Sequence, residues 1–176
     1  MDNIIEKAKK VKLLACDVDG VLTKGEIIIF NNGEEIKIWN VKDGMGYNLL
    51  SKSGLNIQTA WITGRGSLQV QKRAKVIKID YLVEDCSDKL KALNEILKNL
   101  ELTLNEVAYI GDDVIDIAVL KSVGFSACPK DAVEDVKNNV LYVSPLNGGK
   151  GVLRDVIEII MKSQGVWEKV LGCFLC

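Results

Sequence analysis

Asp17 and Asp19 stand two residues apart, directly after the apolar run 13–16 and just before Gly20, in the stretch Lys12 to Thr23. Residues two apart on an extended chain point to the same side, so both carboxylates can face one site. An apolar run bounded by charge and glycine reads as a buried strand of a parallel sheet, and ligands bind beyond the carboxyl ends of such strands. Gly20 permits a tight turn or a close approach of backbone to a ligand. Taken alone, these residues fit an ordinary Asp-Gly turn equally well.

Other strand ends tip the balance. Thr63-Gly64-Arg65-Gly66 follows an apolar run at 57–63, and Gly111-Asp112-Asp113, with Asp116 three residues on, follows another at 107–110. Lys89 falls in the first turn of an amphipathic helix expected over 87–100, where a cation opposes the helix dipole; it is either a solvated lysine or shares an anion with the helix N-terminus. The combined inventory suits magnesium-assisted phosphoryl transfer through an aspartyl-phosphate. Carboxylates from two strand ends can supply oxygen ligands, and one of them can attack phosphorus. The second acid of the pair can protonate the leaving alkoxide and then deprotonate water. Thr63, a nearby backbone N–H and Lys89 can stabilise charge on the phosphoryl oxygens. The chain contains no histidine, which removes Ser-His-Asp and Cys-His mechanisms and leaves acid–base work to carboxylates or lysine.

The elements that must position these groups read as alternating strands and helices. Strands are expected at 13–16, 57–63, 81–83, 107–110, 125–128 and 141–143, with helices over 43–53, 67–77, 87–100, 115–123, 132–138 and 152–163. This is the pattern of an α/β fold with a doubly wound parallel sheet. Asn31-Asn32-Gly33 between the β-rich runs 26–30 and 35–39 predicts a hairpin insertion, 25–40, where a plain strand-to-helix connection would otherwise run. Ile27, Ile28 and Ile29 put apolar groups on both faces of that hairpin, and a neighbouring subunit would cover them.

With 176 residues, 48% of them apolar and 27% charged, the chain suits a single domain over 1–176 with residues 165–176 as a C-terminal tail. A net charge of −1 gives no reason to expect nucleic acid or an anionic membrane as partner. The opening residues resemble no secretory signal, and the most apolar run, 156–161, is short and broken by Glu158, so a cytoplasmic location is expected. Five scattered cysteines suit a reducing compartment. The pair Cys173 and Cys176 lacks the further ligands of a zinc site and the strand-helix context of a redox motif.

Asp17-Val-Asp-Gly-Val-Leu-Thr23, Ile62-Thr63-Gly64-Arg65, Asp88-Lys89 and the Gly-Asp-Asp-x-x-Asp segment at 111–116 resemble, in order, the four motifs of the haloacid dehalogenase superfamily of phosphatases. The chain is most similar to the family of 3-deoxy-D-manno-octulosonate 8-phosphate phosphatases. A hairpin after the first motif, a segment like Asn40-Val-Lys-Asp-Gly44 and a late Gly-Gly-Lys-Gly-Val-Leu-Arg segment at 148–154 carry that closer likeness. The resemblance implies a Rossmann-like fold without a large cap domain, with Asp17 as nucleophile and Asp19 as general acid/base. It implies phosphate contacts from Thr63, Gly64 and Lys89, and sugar-acid contacts from Arg65 and Lys42. Magnesium would be held by Asp17, the Asp19 carbonyl and Asp112, supported by Asp113 and Asp116. It also implies a homotetramer joined through the 26–39 hairpin, in which a neighbour closes the site. Cys128-Pro129-Lys130-Asp131 departs from the small-residue loop with histidine that the resemblance leads one to expect.

Two rivals remain at this level. A receiver-type signalling domain also gathers aspartates, Thr and Lys on a doubly wound sheet, but there the acid pair precedes the phosphoacceptor, the reverse of the order here. A scaffolding relative of a sugar-nucleotide synthetase would have no need of a full set of acids. A nine-carbon keto-deoxy sugar acid phosphate is an alternative substrate to the eight-carbon one.

Overall fold

The structure, a computed structural model, describes residues 2–174. Helix α1 (Asp2–Ala8) precedes β1 (Leu13–Cys16), and a small antiparallel hairpin of β2 (Ile28–Ile29) and β3 (Glu35–Ile36) follows. The chain continues through α2 (Val41–Lys52), β4 (Gln58–Ile62), α3 (Leu68–Ile77), β5 (Tyr81–Val83) and α4 (Lys89–Leu100). Next come β6 (Val107–Ile110), α5 (Ile117–Ser122), β7 (Phe125–Cys128), α6 (Glu134–Lys137) and β8 (Tyr142–Val143). Helices α7 (Val152–Ser163) and α8 (Trp167–Gly172) complete the described chain.

Six strands form one parallel sheet in the order β5-β4-β1-β6-β7-β8. Strand alternation divides the apolar side chains between its two faces. Leu14 and Cys16 of β1, Trp61 of β4, and Ala108 and Ile110 of β6 pack with α2, α7 and α8 on one side. Leu13 and Ala15, Ala60 and Ile62, and Val107 and Tyr109 pack with α4 and α5 on the other. All four residues of β1 are buried and β1 lies between β4 and β6, so residues at its C-terminal end are brought beside those leaving both neighbours.

Helix boundaries differ from expectation where capping decides them. Asn40 accepts from the Lys42 backbone N–H, so α2 starts at Val41 rather than at Asp43. The helix expected over 115–123 is instead a 3₁₀ turn, Val114–Asp116, followed by α5, because the Asp116 side chain reaches back to the N–H groups of Asp112 and Asp113. Helix α6 covers only the middle of 132–138. The segment read as a tail carries α8, whose Val170 is fully buried; Cys173 is exposed, and Cys176 lies outside the described residues.

Two long-range contacts fix the loops around the sheet's C-terminal edge. Asp43, buried on α2, accepts from the Arg154 N–H at the start of α7, where Gly151 has no side chain to act as a cap. The loop before α7 lies on the turn after β1: the Gly149 N–H donates to the Val21 carbonyl at 2.9 Å, and the Gly148 N–H donates to Asp131 Oδ1 at 2.8 Å. A Cβ on Gly148 would fall 1.9 Å from the Gly20 carbonyl oxygen, a backbone atom that cannot swing aside. Gly148→Ala is therefore expected to destabilise the fold by about 1–3 kcal/mol, the range for overpacking. Urea unfolding measures this, and an unchanged midpoint would contradict the close approach.

Candidate active site

The turn after β1 holds the two acids in different surroundings. Asp17 continues the ladder, its N–H donating to the Ile110 carbonyl, and its Oδ1 accepts from the Val18 N–H at 2.7 Å. Its Oδ2 is 2.9 Å from the Lys89 ammonium. Asp19 is partly exposed and accepts from the Thr23 hydroxyl at 3.2 Å. Gly20 has φ +84°, and a Cβ there would sit 1.9 Å from Asp112 Oδ2, so glycine is required both for the turn and for the space the neighbouring carboxylate fills.

The loop after β6 brings three further acids. One carboxylate oxygen each from Asp17, Asp112 and Asp116 lies within 4.8 Å of the others. Asp116 is completely buried and fully engaged. Its Oδ1 accepts from Lys89 (2.8 Å) and the Tyr109 hydroxyl (2.7 Å), and its Oδ2 accepts from the Asp112 and Asp113 N–H groups. Asp113 is exposed and caps the 3₁₀ turn through the Val114 N–H. Asp112 Oδ1, by contrast, is buried with no hydrogen-bond partner among the described residues.

Lys89 is 3% exposed, which disposes of the solvated-lysine reading. Asp88 caps α4 through the Lys91 N–H and lets the Lys89 side chain run inward between Asp17 and Asp116. Burial alone would depress its pKa, but the two carboxylates outweigh that and hold it above the ordinary lysine value. One ammonium does not balance the whole cluster. Burial, opposed by Lys89 and reinforced by Asp116, lifts Asp17 to about 6; burial together with the charges of Asp17 and Asp116 lifts Asp112 to about 8. A set of hard oxygen donors, crowded, partly desolvated and with one oxygen unpartnered, is chemically suited to a divalent cation such as magnesium.

The second strand end contributes Thr63, 1% exposed, whose hydroxyl accepts from the Arg65 N–H at 3.2 Å and shapes the loop. Gly64 is exposed at that loop's tip. Arg65 Nη2 donates to Glu35 Oε2 at 2.6 Å. Lys42 is exposed, its stem beside Gly151, and among the described residues no hydrogen bond or ion pair joins it to the acids. Sequence reasoning missed Lys37, whose ammonium sits 2.7 Å from Asp19 Oδ2, and Tyr109, which braces Asp116. The signal for Lys37 was its alternation with Glu35 and Trp39 on one face of the hairpin arm. Tyr109 had none, being one apolar-run residue among four. A cavity of about 690 Å³ between α2 and α3 contains none of these acids.

A parallel sheet with an acid-bearing loop after its central strand, a second after the adjacent strand and a buried lysine between them is the architecture of an aspartate-dependent phosphatase with a Rossmann-like α/β fold. The comparisons agree. The haloacid dehalogenase-like hydrolase family matches residues 70–156. The 3-deoxy-D-manno-octulosonate 8-phosphate phosphatase of Yersinia pestis is 40% identical over 171 residues, 97% of this chain and 90% of that protein. Its counterpart in Escherichia coli K12 is 38% identical over 170 residues, 97% of this chain and 89% of that protein. Among solved structures, the Moraxella catarrhalis phosphatase of that name, in complex with magnesium, phosphate and the sugar acid, superimposes with a TM-score of 0.95 at 38% identity, covering 99% of each chain. The chain belongs to the haloacid dehalogenase-like hydrolases, in the branch that holds the 3-deoxy-D-manno-octulosonate 8-phosphate phosphatases.

Removing Lys89 leaves Asp17 and Asp116 buried without their shared cation. Lys89→Met is expected to lower the unfolding free energy by about 3–5 kcal/mol, the usual cost of breaking a buried ion pair from one side. Denaturant unfolding in the presence of a chelator tests this, and a stability equal to wild type would show that the ammonium is not what holds the cluster.

Proposed function

We propose that the protein is a magnesium-dependent phosphomonoesterase that hydrolyses 3-deoxy-D-manno-octulosonate 8-phosphate to the free sugar acid and phosphate. The observation that carries this reading is the gathering of Asp17, Asp112 and Asp116 within 4.8 Å with Asp112 Oδ1 unpartnered, in a chain so similar to phosphatases of that name. Asp17, Asp112 and the Asp19 backbone carbonyl would hold the metal. Asp116 supports them from beneath, and Asp113 does so only by capping the turn that carries Asp112. When bound, magnesium supplies positive charge that offsets the crowded carboxylates and the phosphoryl oxygens.

The protein's own residues then divide the work. A carboxylate oxygen of Asp17 attacks phosphorus as the bond to the sugar oxygen breaks; the bond's electron pair goes to that oxygen, which takes a proton from Asp19. Water then attacks phosphorus, gives its proton to Asp19, and the Asp17 carboxylate departs as phosphate forms. Lys89 fixes the orientation of Asp17 and opposes accumulating negative charge. The Thr63 hydroxyl and the Gly64 N–H belong to the phosphate cradle, and Arg65 and Lys42 to recognition of the sugar acid. Arg65 must exchange its Glu35 partner to serve there, and Lys42 must swing from beside Gly151.

The same reading makes the protein a homotetramer. Ile27, Ile29, Phe30 and Ile38 on the hairpin are each more than half exposed, an apolar surface that a second copy would bury. Among the described residues no helix is long and apolar enough to cross a membrane, and the four described cysteines are free thiols, which suits a cytoplasmic setting.

Steady-state hydrolysis across a panel of sugar phosphates with magnesium tests the substrate. Eight- and nine-carbon acids differ by one hydroxymethylene unit, so the eight-carbon ester should lead by about tenfold or more, and faster turnover of common hexose phosphates would defeat the assignment. Asp17→Asn and Asp19→Asn are each expected to cut turnover at least about a hundredfold, and near-wild-type rates in either would end the mechanism. Because Asp17 and Asp112 carry pKa values raised to about 6 and about 8, the metal-free protein holds protons that a divalent ion must displace. Magnesium affinity should therefore climb between pH 6 and pH 8 with measurable proton release. Calorimetry in two buffers of different ionisation enthalpy measures it, and a pH-independent affinity across that window would contradict it.

A further inference from the structure

We propose that Lys37, on the return arm of the hairpin, is the positioning residue for Asp19, a step that rests on the general acid/base role given to Asp19 above. Its ammonium lies 2.5 Å from Asp19 Oδ1 and 2.7 Å from Oδ2, and its side chain is 3% exposed. A buried ammonium persists where anions compensate it, and here Asp19 does so with Glu35, whose Oε1 is 3.6 Å away. The two acids of the first turn thus each have a lysine of their own, delivered by different elements: Lys89 from α4 to Asp17, and Lys37 from the hairpin to Asp19.

The arm that carries Lys37 is fastened on both sides of it. Before it, the Glu35 carbonyl accepts from Gln69 Nε2 at 2.6 Å and the Glu35 carboxylate holds Arg65. After it, Trp39 stacks on Trp61 with ring centroids 5.6 Å apart, and the Asn40 amide donates to the Gly149 carbonyl. Strand alternation turns Glu35, Lys37 and Trp39 inward while Ile36 and Ile38 face out. An ammonium on a fastened arm can hold a carboxylate in one rotamer, which a freely moving surface lysine cannot.

The hydrogen-bond inventory then distinguishes the two oxygens of Asp19. Among the described residues, Oδ1 accepts from both Lys37 and the Thr23 hydroxyl, whereas Oδ2 accepts from Lys37 alone. A carboxylate oxygen has two lone pairs, so Oδ2 is the one with a lone pair open to a proton in transit. The geometry assigns Oδ2 as the oxygen that exchanges a proton with the sugar oxygen and then with water.

The test compares kcat/KM for the sugar phosphate, whose alkoxide needs a proton to leave, with kcat/KM for p-nitrophenyl phosphate, whose phenolate does not. Lys37→Met should lose about tenfold or more on the sugar ester but less than about threefold on the aryl ester. Added to Asp19→Asn, it should cause no further loss on the sugar ester, because it acts through that carboxyl. Equal losses on both esters, or an additional loss in the Asp19→Asn background, would overturn the assignment. Thermal unfolding checks that the variant is folded, and Lys37→Gln carries the same comparison if Lys37→Met is not. Failure of the wild-type protein to hydrolyse either ester with magnesium would instead count against the phosphatase reading itself.

Discussion

Carboxylate crowding at the C-terminal edge of the sheet is the constraint around which the rest of the molecule is arranged. Adjacent strands β1 and β6 end in acids, and the parallel register that pairs Cys16 with Ile110 delivers Asp17 and Asp112 side by side. Left to themselves, carboxylates so placed would hold protons near neutrality, first because burial disfavours their charged form and then because they repel one another. The protein answers with one buried lysine shared between Asp17 and Asp116, and with a tyrosine hydroxyl and the Asp112 and Asp113 N–H groups directed at Asp116, and leaves the remaining deficit at Asp17 and Asp112. The deficit is functional: a site with every oxygen satisfied by the protein would have little use for a metal or a phosphoryl group.

The hairpin has an inverted character for a surface element. On its return arm the charged Glu35 and Lys37 face inward while Ile36 and Ile38 face out, the reverse of a strand lying on an apolar core. The charge on the inner face lies against Asp19 and Arg65, while the apolar outer face is exposed. One element of about fifteen residues thus joins the turn after β1 to an apolar surface on the outside of the molecule.

Backbone proximity is the third ingredient. Gly20 and Gly148 let the turn after β1, the Asp112 carboxylate and the loop before α7 occupy one small volume, with separations that any side chain would prevent. Asp43 ties the first turn of α2 to the N-terminus of α7, so the helix following the hairpin and the helix following the glycine loop are joined directly. The buried side chains of the sheet's two faces then set the relative positions of these pieces.

Much of this could be read from residues alone. Apolar runs of four placed β1 and β6 to the residue, because a fully buried parallel strand has no polar face to blur its ends. Acids directly after such runs pointed to the cluster that Asp17, Asp112 and Asp116 form at the C-terminal edge of the sheet, where ligands bind. Short helices were less legible: the turn at 114–116 and the trimmed α6 depend on side-chain caps that compete with helical hydrogen bonding, and α1 and α8 draw their stability from burial against α7. The fate of the lysines was not decided by the sequence. Lys89 and Lys42 are both lysines in a first helical turn, yet one is enclosed by two carboxylates and the other lies in solvent. Spacing determines which side of its own element a residue faces; only the packing of distant elements decides what waits there, and for an ion pair that decision is the whole of its energy.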